Sequence, residues 1–468
     1  MTAKPSTTAP LPSAGIDQRV VLMIAVLAGF ITPFDGSSVN IALPTIGTEF
    51  AMDAVSLSWV ATAYLLAAAV FLVPFGRYSD ITGRKRIFTI GISIFTIASF
   101  FLIFSPSSLV FILLRVAQGA GSAMIFGTGV AILTSVFPPG RRGWALGIYT
   151  TAVYLGLSLG PFLGGIMTQY VGWRSIFLIN VPLGILTILL IRWKLPGEWA
   201  EARGEHFDLG GSVIYGVALI AIMYGFTLLP DPAALLFIIA GIVCLVVFAL
   251  WEYRCPAPVL HMRLITGNHV FAFSNLAALI NYSATFAITF LVSLYLQYVQ
   301  GFTPQSAGII LIAQPAVQTV ASTFAGRLSD RIEPRVVASA GMGLLATGLF
   351  LLTFLSGTTS LWYLTGCLVM LGLGMAFFAS PNTNAIMSSV EKRFYSVASG
   401  TLGTMRLLGQ MLSMGVAAMV FAVYIGRVQI TPANHPQFIL SLHTIFQIFT
   451  VLCIVGILAS LVRGKLRE

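Results

Sequence analysis

Fourteen long apolar segments leave this chain few ways to fold. They lie near 20–42, 56–77, 87–105, 107–136, 143–168, 174–192, 209–228, 233–251, 269–298, 306–326, 336–354, 360–388, 396–424 and 439–462. A helix needs about 20 apolar residues to cross a bilayer, and each segment is close to that length or longer. In hydrocarbon every backbone polar group must be paired inside the protein, so only helices and closed barrels span. Long, continuous apolar runs specify helices. The breaks are chemically sharp: Pro138-Pro139-Gly140, the charged run 194–208, and Pro256-Ala257-Pro258. Charged residues make up only 9% of the chain, far below the roughly 25% of soluble domains, so lipid solvates much of its surface. The expectation is an all-α membrane protein with fourteen transmembrane helices.

Lysine and arginine set the orientation. With the N-terminus inside, 21 of the 25 basic residues fall in inside segments, only Arg174 and Arg427 fall in outside loops, and Arg115 and Arg406 fall within spans. An error of one span would scramble this asymmetry. Both termini are therefore expected in the cytoplasm of a cell whose inner or plasma membrane holds the chain. The net charge of +10 is read as a topology signal, with anionic lipid headgroups as a secondary partner and no nucleic acid. The polar, Pro/Ser/Thr-rich residues 1–19 read as a cytoplasmic tail rather than a cleaved signal. Cys244, Cys255, Cys367 and Cys453 are widely spaced and read as packing residues, with no metal site expected.

The chain repeats itself. Gly76-Arg77-Tyr78-Ser79-Asp80 recurs as Gly326-Arg327-Leu328-Ser329-Asp330, each copy ending a span on the inside. Two six-helix bundles, 20–192 and 269–462, are expected, with a linker at 193–268 that carries two extra helices and a short tail at 463–468. Parallel halves of this kind build many secondary transporters, with the substrate site between them.

Asp35 is the only group in 20–48 that ionises near neutral pH, and its repeat counterpart is Thr285. A carboxylate at mid-bilayer costs about 2.5–3.5 kcal/mol on insertion scales, so it should face a cavity, meet a partner or carry a proton. Arg115, in the fourth segment, needs a carboxylate, backbone carbonyls or water for the same reason. Gly156, Gly160 and Gly164 share one helix face, where a neighbouring helix can approach at backbone distance, and Pro161 favours a bend there. Gly76 is read in the same way, as permitting close helix approach. Asp80 can pair with an arginine or accept from a helix N-terminus.

These residues also carry a resemblance. Gly76-Arg77-Tyr78-Ser79-Asp80-Ile81-Thr82-Gly83-Arg84-Lys85-Arg86 resembles the signature loop of the major facilitator superfamily. Arg115-Val116-Ala117-Gln118-Gly119-Ala120-Gly121 resembles its fourth-span motif, and Gly156-Leu157-Ser158-Leu159-Gly160-Pro161-Phe162-Leu163-Gly164-Gly165 its antiporter motif. Asp35-Gly36-Ser37-Ser38-Val39-Asn40-Ile41-Ala42-Leu43-Pro44 is similar to the first-span motif of the fourteen-span drug:proton antiporters. Trp173–Gly184, Phe207-Asp208 and Ser380-Pro381-Asn382 extend the likeness over nearly the whole chain. The resemblance implies that Gly76, Asp80, Gly83, Arg84, Lys85 and Asp330 form a conformational latch. It implies that Gly156, Gly160, Pro161, Gly164 and Gly165 gate, and that Asp35, Arg115, Asn40 and Arg406 serve proton coupling or substrate, Arg406 alternatively holding or gating structure. Tyr64, Tyr154, Tyr282, Gln314, Gln318, Phe378 and Asn382 are candidates to line the cavity.

The expected function is proton-coupled efflux by alternating access of lipophilic or monocationic drugs, with proton and substrate competing at Asp35. A dedicated exporter of one natural product, lipid or metabolite is the alternative; a non-transporting receptor and a membrane enzyme are the rivals from other classes. No P-loop, zinc-protease or dinucleotide fingerprint is present, so an ion gradient rather than a cofactor is expected to supply the energy. A monomer is expected.

Overall fold

The computed structural model describes residues 17–464 apart from 257, 261, 330, 392 and 393. Among the described residues there are no strands, and fourteen helices are long and apolar enough to cross a membrane: α1 Gln18–Glu49, α2 Ala54–Thr82, α3 Arg84–Ile103, α4 Ser108–Val136, α5 Arg141–Tyr170, α6 Arg174–Lys194, α7 Leu209–Leu228, α8 Ala233–Arg254, α9 His269–Val299, α10 Pro304–Ser329, α11 Pro334–Leu352, α12 Leu361–Ser388, α13 Val397–Tyr424 and α14 Pro432–Val462. All fourteen expected spans are present. Their ends follow ordinary capping chemistry. Asp53 accepts the Ser56 N–H at 2.7 Å to start α2, and Asp208 accepts the Gly211 N–H at 2.9 Å to start α7. Gly83, at φ 125°, makes the corner between α2 and α3, a conformation only glycine enters cheaply.

In the first bundle α1 packs on α5, α2 on α4, and α3 on α4 and α6; in the second, α9 packs on α13 and α14, α11 on α12 and α14, and α10 on α12. The two bundles meet along α2 with α13 and along α5 with α10. The helix pair α7–α8 stands outside this ring. α7 packs on both α2 and α13, with the Tyr215 hydroxyl donating to the Ala69 carbonyl at 3.2 Å and Met223 and Phe226 against Gly415. α8 packs on α7 through Gly225 and Gly241 and leaves most of its surface to lipid.

Two expected helices are not continuous, α9 and α10, the latter interrupted at Ile312. α9 runs regularly from His269 to Thr285, turns at 286–287, resumes over Ile288–Leu294 and ends in a π-turn at Tyr295–Val299. The backbone N–H of Ala287, at the break, donates to Ser413 Oγ on α13 at 3.0 Å. A neighbouring hydroxyl thus satisfies a buried donor beside the break.

The face carrying Gly83 is called here the signature-loop face, and the opposite one the far face. Hydrogen bonds between the bundles cluster toward the far face. Ser293 Oγ donates to the Asn40 carbonyl at 2.9 Å, Gln297 Nε2 to the Ile41 carbonyl at 2.9 Å, the Ala54 N–H to the Val428 carbonyl at 3.0 Å, and the Tyr170 hydroxyl to Gln305 Oε1 at 3.0 Å. Asn40 lies four residues before Pro44, which has no N–H, so its carbonyl is free to accept from the other bundle.

Candidate functional site

Asp35 sits midway along α1 and is fully enclosed, at 0% exposure. Its Oδ2 meets Arg115 Nη1 of α4 at 2.5 Å. Its Oδ1 accepts from Gln118 Nε2 at 3.0 Å and from Asn180 Nδ2 of α6 at 2.7 Å. Gln118 Nε2 also donates to Ser99 Oγ of α3 at 2.9 Å, and Gln118 Oε1 accepts from Arg115. The guanidinium donates through Nε to the Val60 carbonyl at 3.2 Å and lies 4.4 Å from the Tyr64 ring centroid. Tyr64 in turn donates to Ser122 at 2.7 Å. Side chains from α1, α3, α4 and α6, with a carbonyl and a ring from α2, therefore converge on one buried ion pair. The sequence pairs Asp35 with Arg115; the structure adds Gln118, Asn180 and Ser99. Asn180 was visible as an amide inside an apolar run, whereas Ser99 carried no signal.

Three candidates for the cavity wall belong elsewhere. Tyr64 is held against Arg115 and is part of the charge cluster. Phe378 is 1% exposed and packs with Ala277, Ala278, Ala338 and Met342, so it is core. Asn382 donates to the Ser274 carbonyl at 3.1 Å and accepts from Arg463 at 2.9 Å, a structural tie between α12, α9 and the residue after α14. Burial pushes the Arg463 guanidinium down to about 10, partly offset by the charge of Glu333. Gln314 is buried with an unpartnered Oε1, and Gln318 is half-buried. His443 bonds the Leu355 carbonyl at 2.5 Å. Tyr154 and Tyr282, from opposite bundles, are half-buried and lie within electrostatic reach of each other. Arg406, also half-buried, lies 5.3 Å from the Tyr282 ring centroid.

The glycine face of α5 is packed in register against α1. A side chain at Gly156 would begin 2.6 Å from the Phe30 carbonyl, one at Gly160 would collide with Ser37, and one at Gly164 would begin 2.8 Å from Ser38 Cα. Ser37 Oγ and Ser38 Oγ donate to the Gly156 and Gly160 carbonyls at 3.2 and 3.0 Å. Gly165 faces the other bundle instead, where a side chain would begin 2.5 Å from the Pro304 carbonyl, and the Pro161 carbonyl abuts Gly308 of α10. One helix thus bears on the carboxylate helix with one face and on the partner bundle with another.

At the signature loop, Arg84 is the centre. It pairs with Asp80 at 2.8 Å and Glu201 at 2.7 Å and donates to Ser135 at 2.8 Å. The Lys85 N–H donates to Glu198 Oε1 at 2.8 Å, the Lys85 ammonium to the Leu195 carbonyl, and Arg77 pairs with Glu205. The loop is thus tied to residues 195–205 of its own half. A side chain at Gly76 would meet nothing within 4 Å, yet α4 does approach its backbone, where a Cβ at Gly127 would lie 3.5 Å from Gly76 Cα; Gly83 is pressed against Glu198. Asp330 lies outside the described residues.

The model of the Major Facilitator Superfamily matches residues 25–207 and 275–467, in two blocks that leave out α7 and α8. The chain belongs to this superfamily. It is 28% identical to the riboflavin transporter RibZ of Clostridioides difficile over 94% of this chain and 96% of the relative. It is 30% identical to the multidrug resistance protein Stp of Mycobacterium tuberculosis, covering 87% of this chain and 76% of that one. With the tetracenomycin C resistance and export protein of Streptomyces glaucescens it shares 29% identity over 91% and 80% of the two chains. Among solved structures, a peptide transporter bound to alafosfalin superposes with a TM-score of 0.72 over 97% of this chain and 98% of that one at 15% identity, which shows the shared fold. The protein is a multi-pass membrane transporter of small molecules and not an enzyme.

Proposed function

We propose that this transporter is a proton-coupled exporter of amphiphilic small molecules, with both termini in the cytoplasm of the cell whose inner or plasma membrane it spans. The observation that carries the reading is the buried Asp35–Arg115 pair, which ties α4 to α1, the helix whose other end supplies the far-face contacts. A buried charge pair holds together only while both charges persist. A proton on Asp35 cancels one of them and leaves Gln118 and Asn180 as its remaining hydrogen-bond partners. That loosens α1 from α4 and α6. The Ser37 and Ser38 bonds pass the motion to the glycine face of α5, which bears on α10. In this arrangement the transporter is closed outside; a proton taken up in the state open to the outside biases the exchange between the two states by its differential affinity for them.

The relatives named for multidrug resistance and for tetracenomycin C resistance and export support export as the direction. The dedicated exporter of one compound remains the second reading, favoured by the narrower name of the riboflavin relative. The monocationic part of the sequence expectation loses its support: it needed an open carboxylate, and Asp35 is closed by Arg115, Gln118 and Asn180. Direct competition of substrate and proton at Asp35 gives way to coupling through α1. The test is flux in proteoliposomes under an imposed pH gradient. Wild-type protein is expected to move substrate against its gradient, and Asp35→Asn to abolish the dependence on the pH gradient. Undiminished gradient-driven flux in Asp35→Asn refutes the coupling role.

A further inference from the structure

Two cations lie deep within the spans, and they are placed differently. Arg115 is neutralised by Asp35. Arg406 of α13 forms no ion pair among the described residues, and it is only half-buried. A lone guanidinium at this depth in lipid costs about 2.5–3.5 kcal/mol, so it faces a water-accessible space. One tyrosine packs on it, and two from the other bundle feel its charge. The Tyr282 ring of α9 lies beneath the guanidinium, and the hydroxyls of Tyr149 and Tyr154 on α5 are within reach of its charge. The Tyr149 hydroxyl is buried and has no hydrogen-bond partner, an arrangement that buried hydroxyls rarely keep without a role. Its ring is wedged against Gly29 of α1 and so is held in place. Room remains on the Arg406 helix itself: a side chain at Gly403, about one turn before Arg406, would meet only Leu72 at 3.8 Å.

From this we infer that the space between the bundles contains an anion subsite, in which Arg406 and Tyr149, Tyr154 and Tyr282 take a planar aromatic compound carrying an acidic group. The inference rests on the reading of the chain as an exporter whose substrate enters between the halves, and it fixes the substrate class of that site. The guanidinium, seated on the Tyr282 ring, pairs with the acid, and the tyrosine rings pack on the aromatic system. The unpartnered Tyr149 hydroxyl donates to the same acid. The summed charge deep in the spans favours this sign, because Asp35 and Arg115 cancel and Arg406 is left over. An amine at the same place would meet an uncompensated like charge.

The test is equilibrium binding to purified protein, with no gradient, of three anthracenes that differ in one substituent: a carboxylate, a trimethylammoniomethyl group and a hydroxymethyl group. Wild-type protein is expected to bind the carboxylate at least tenfold more tightly than the ammonium compound. Arg406→Gln should bring the carboxylate to parity with the neutral compound, whose own affinity stays within about twofold. That retained neutral binding shows that the variant is folded. Arg406→Lys should recover part of the preference, and Tyr149→Phe should weaken only the carboxylate. A preference for the ammonium compound, a carboxylate preference that survives Arg406→Gln, or no binding of any of the three overturns the proposal. Loss of coupling to the pH gradient with this binding pattern intact would fault the coupling mechanism and leave the subsite standing.

Discussion

Removing one hydroxyl at the far face should unlock the transporter, and the size of the effect follows from Pro44. The Asn40 carbonyl has no intrahelical donor because residue 44 lacks an N–H, and Ser293 Oγ supplies the missing bond at 2.9 Å from a fully buried position. In Ser293→Ala the far-closed state keeps that carbonyl buried and unpaired, at about 1–3 kcal/mol. In a state open to the far side, water reaches it and no such cost arises. The closed-to-open ratio should therefore shift by about 5- to 150-fold, since 1.4 kcal/mol is a factor of ten. The assay is the labelling rate of Thr45→Cys, a half-buried position lining the far-face recess, with a membrane-impermeant maleimide. Labelling should accelerate in the Ser293→Ala background. Pro44→Ala restores an N–H and gives Asn40 an intrahelical donor, so in that background Ser293→Ala should cost much less. The double-mutant cycle isolates the coupling. Equal acceleration with and without Pro44 refutes the argument.

The buried pair predicts non-additivity: Asp35→Asn or Arg115→Gln alone should each destabilise by about 3–5 kcal/mol, and the double substitution should recover much of the thermal stability in detergent without recovering gradient-driven flux. The glycine face predicts a contrast between neighbours on the two helices. Gly164→Ala, whose Cβ would sit 2.8 Å from Ser38 Cα, should cost about 1–3 kcal/mol and most of the transport, whereas Gly36→Ala, with nothing within 4 Å, should leave thermal stability unchanged. At the signature loop, Glu201→Gln should shift stability by less than about 1 kcal/mol because Glu201 is largely exposed. Arg84→Ala, which also releases Asp80 and Ser135, should do more, and denaturation of the purified variants would rank them.

Spans and the charge pair were legible in the sequence because both are one-dimensional signals. Hydrocarbon thickness sets the length of an apolar run, and an intramembrane charge demands a partner whatever the fold. Only Asp35 and Arg115 were available to each other in the first half. The rest of the cluster was not legible, because Ser99, Gln118 and Asn180 meet only when three helices pack. The same limit explains Phe378 and Asn382: residue type says that an aromatic ring or an amide lies in a span, not which way it points. The break in α9 contains no proline or glycine, and the group that satisfies Ala287, Ser413, lies 126 residues away. Gly76 was read from its motif position, while the turn at Gly83 is where the backbone actually requires glycine.

The α7–α8 pair gives the molecule a handedness that its two similar halves lack. By leaning on both α2 and α13, it screens one of the two seams between the bundles from the surrounding acyl chains. Compounds that dissolve in the bilayer before capture are left with the opposite seam, between α5 and α10. That seam is shut toward the far face by Gly165 against Pro304 and Gly308 against Pro161. For a compound captured from the membrane, the route left would be that flank on the signature-loop side, and the helices that separate this chain from a plain pair of six-helix bundles would act as a filter on entry.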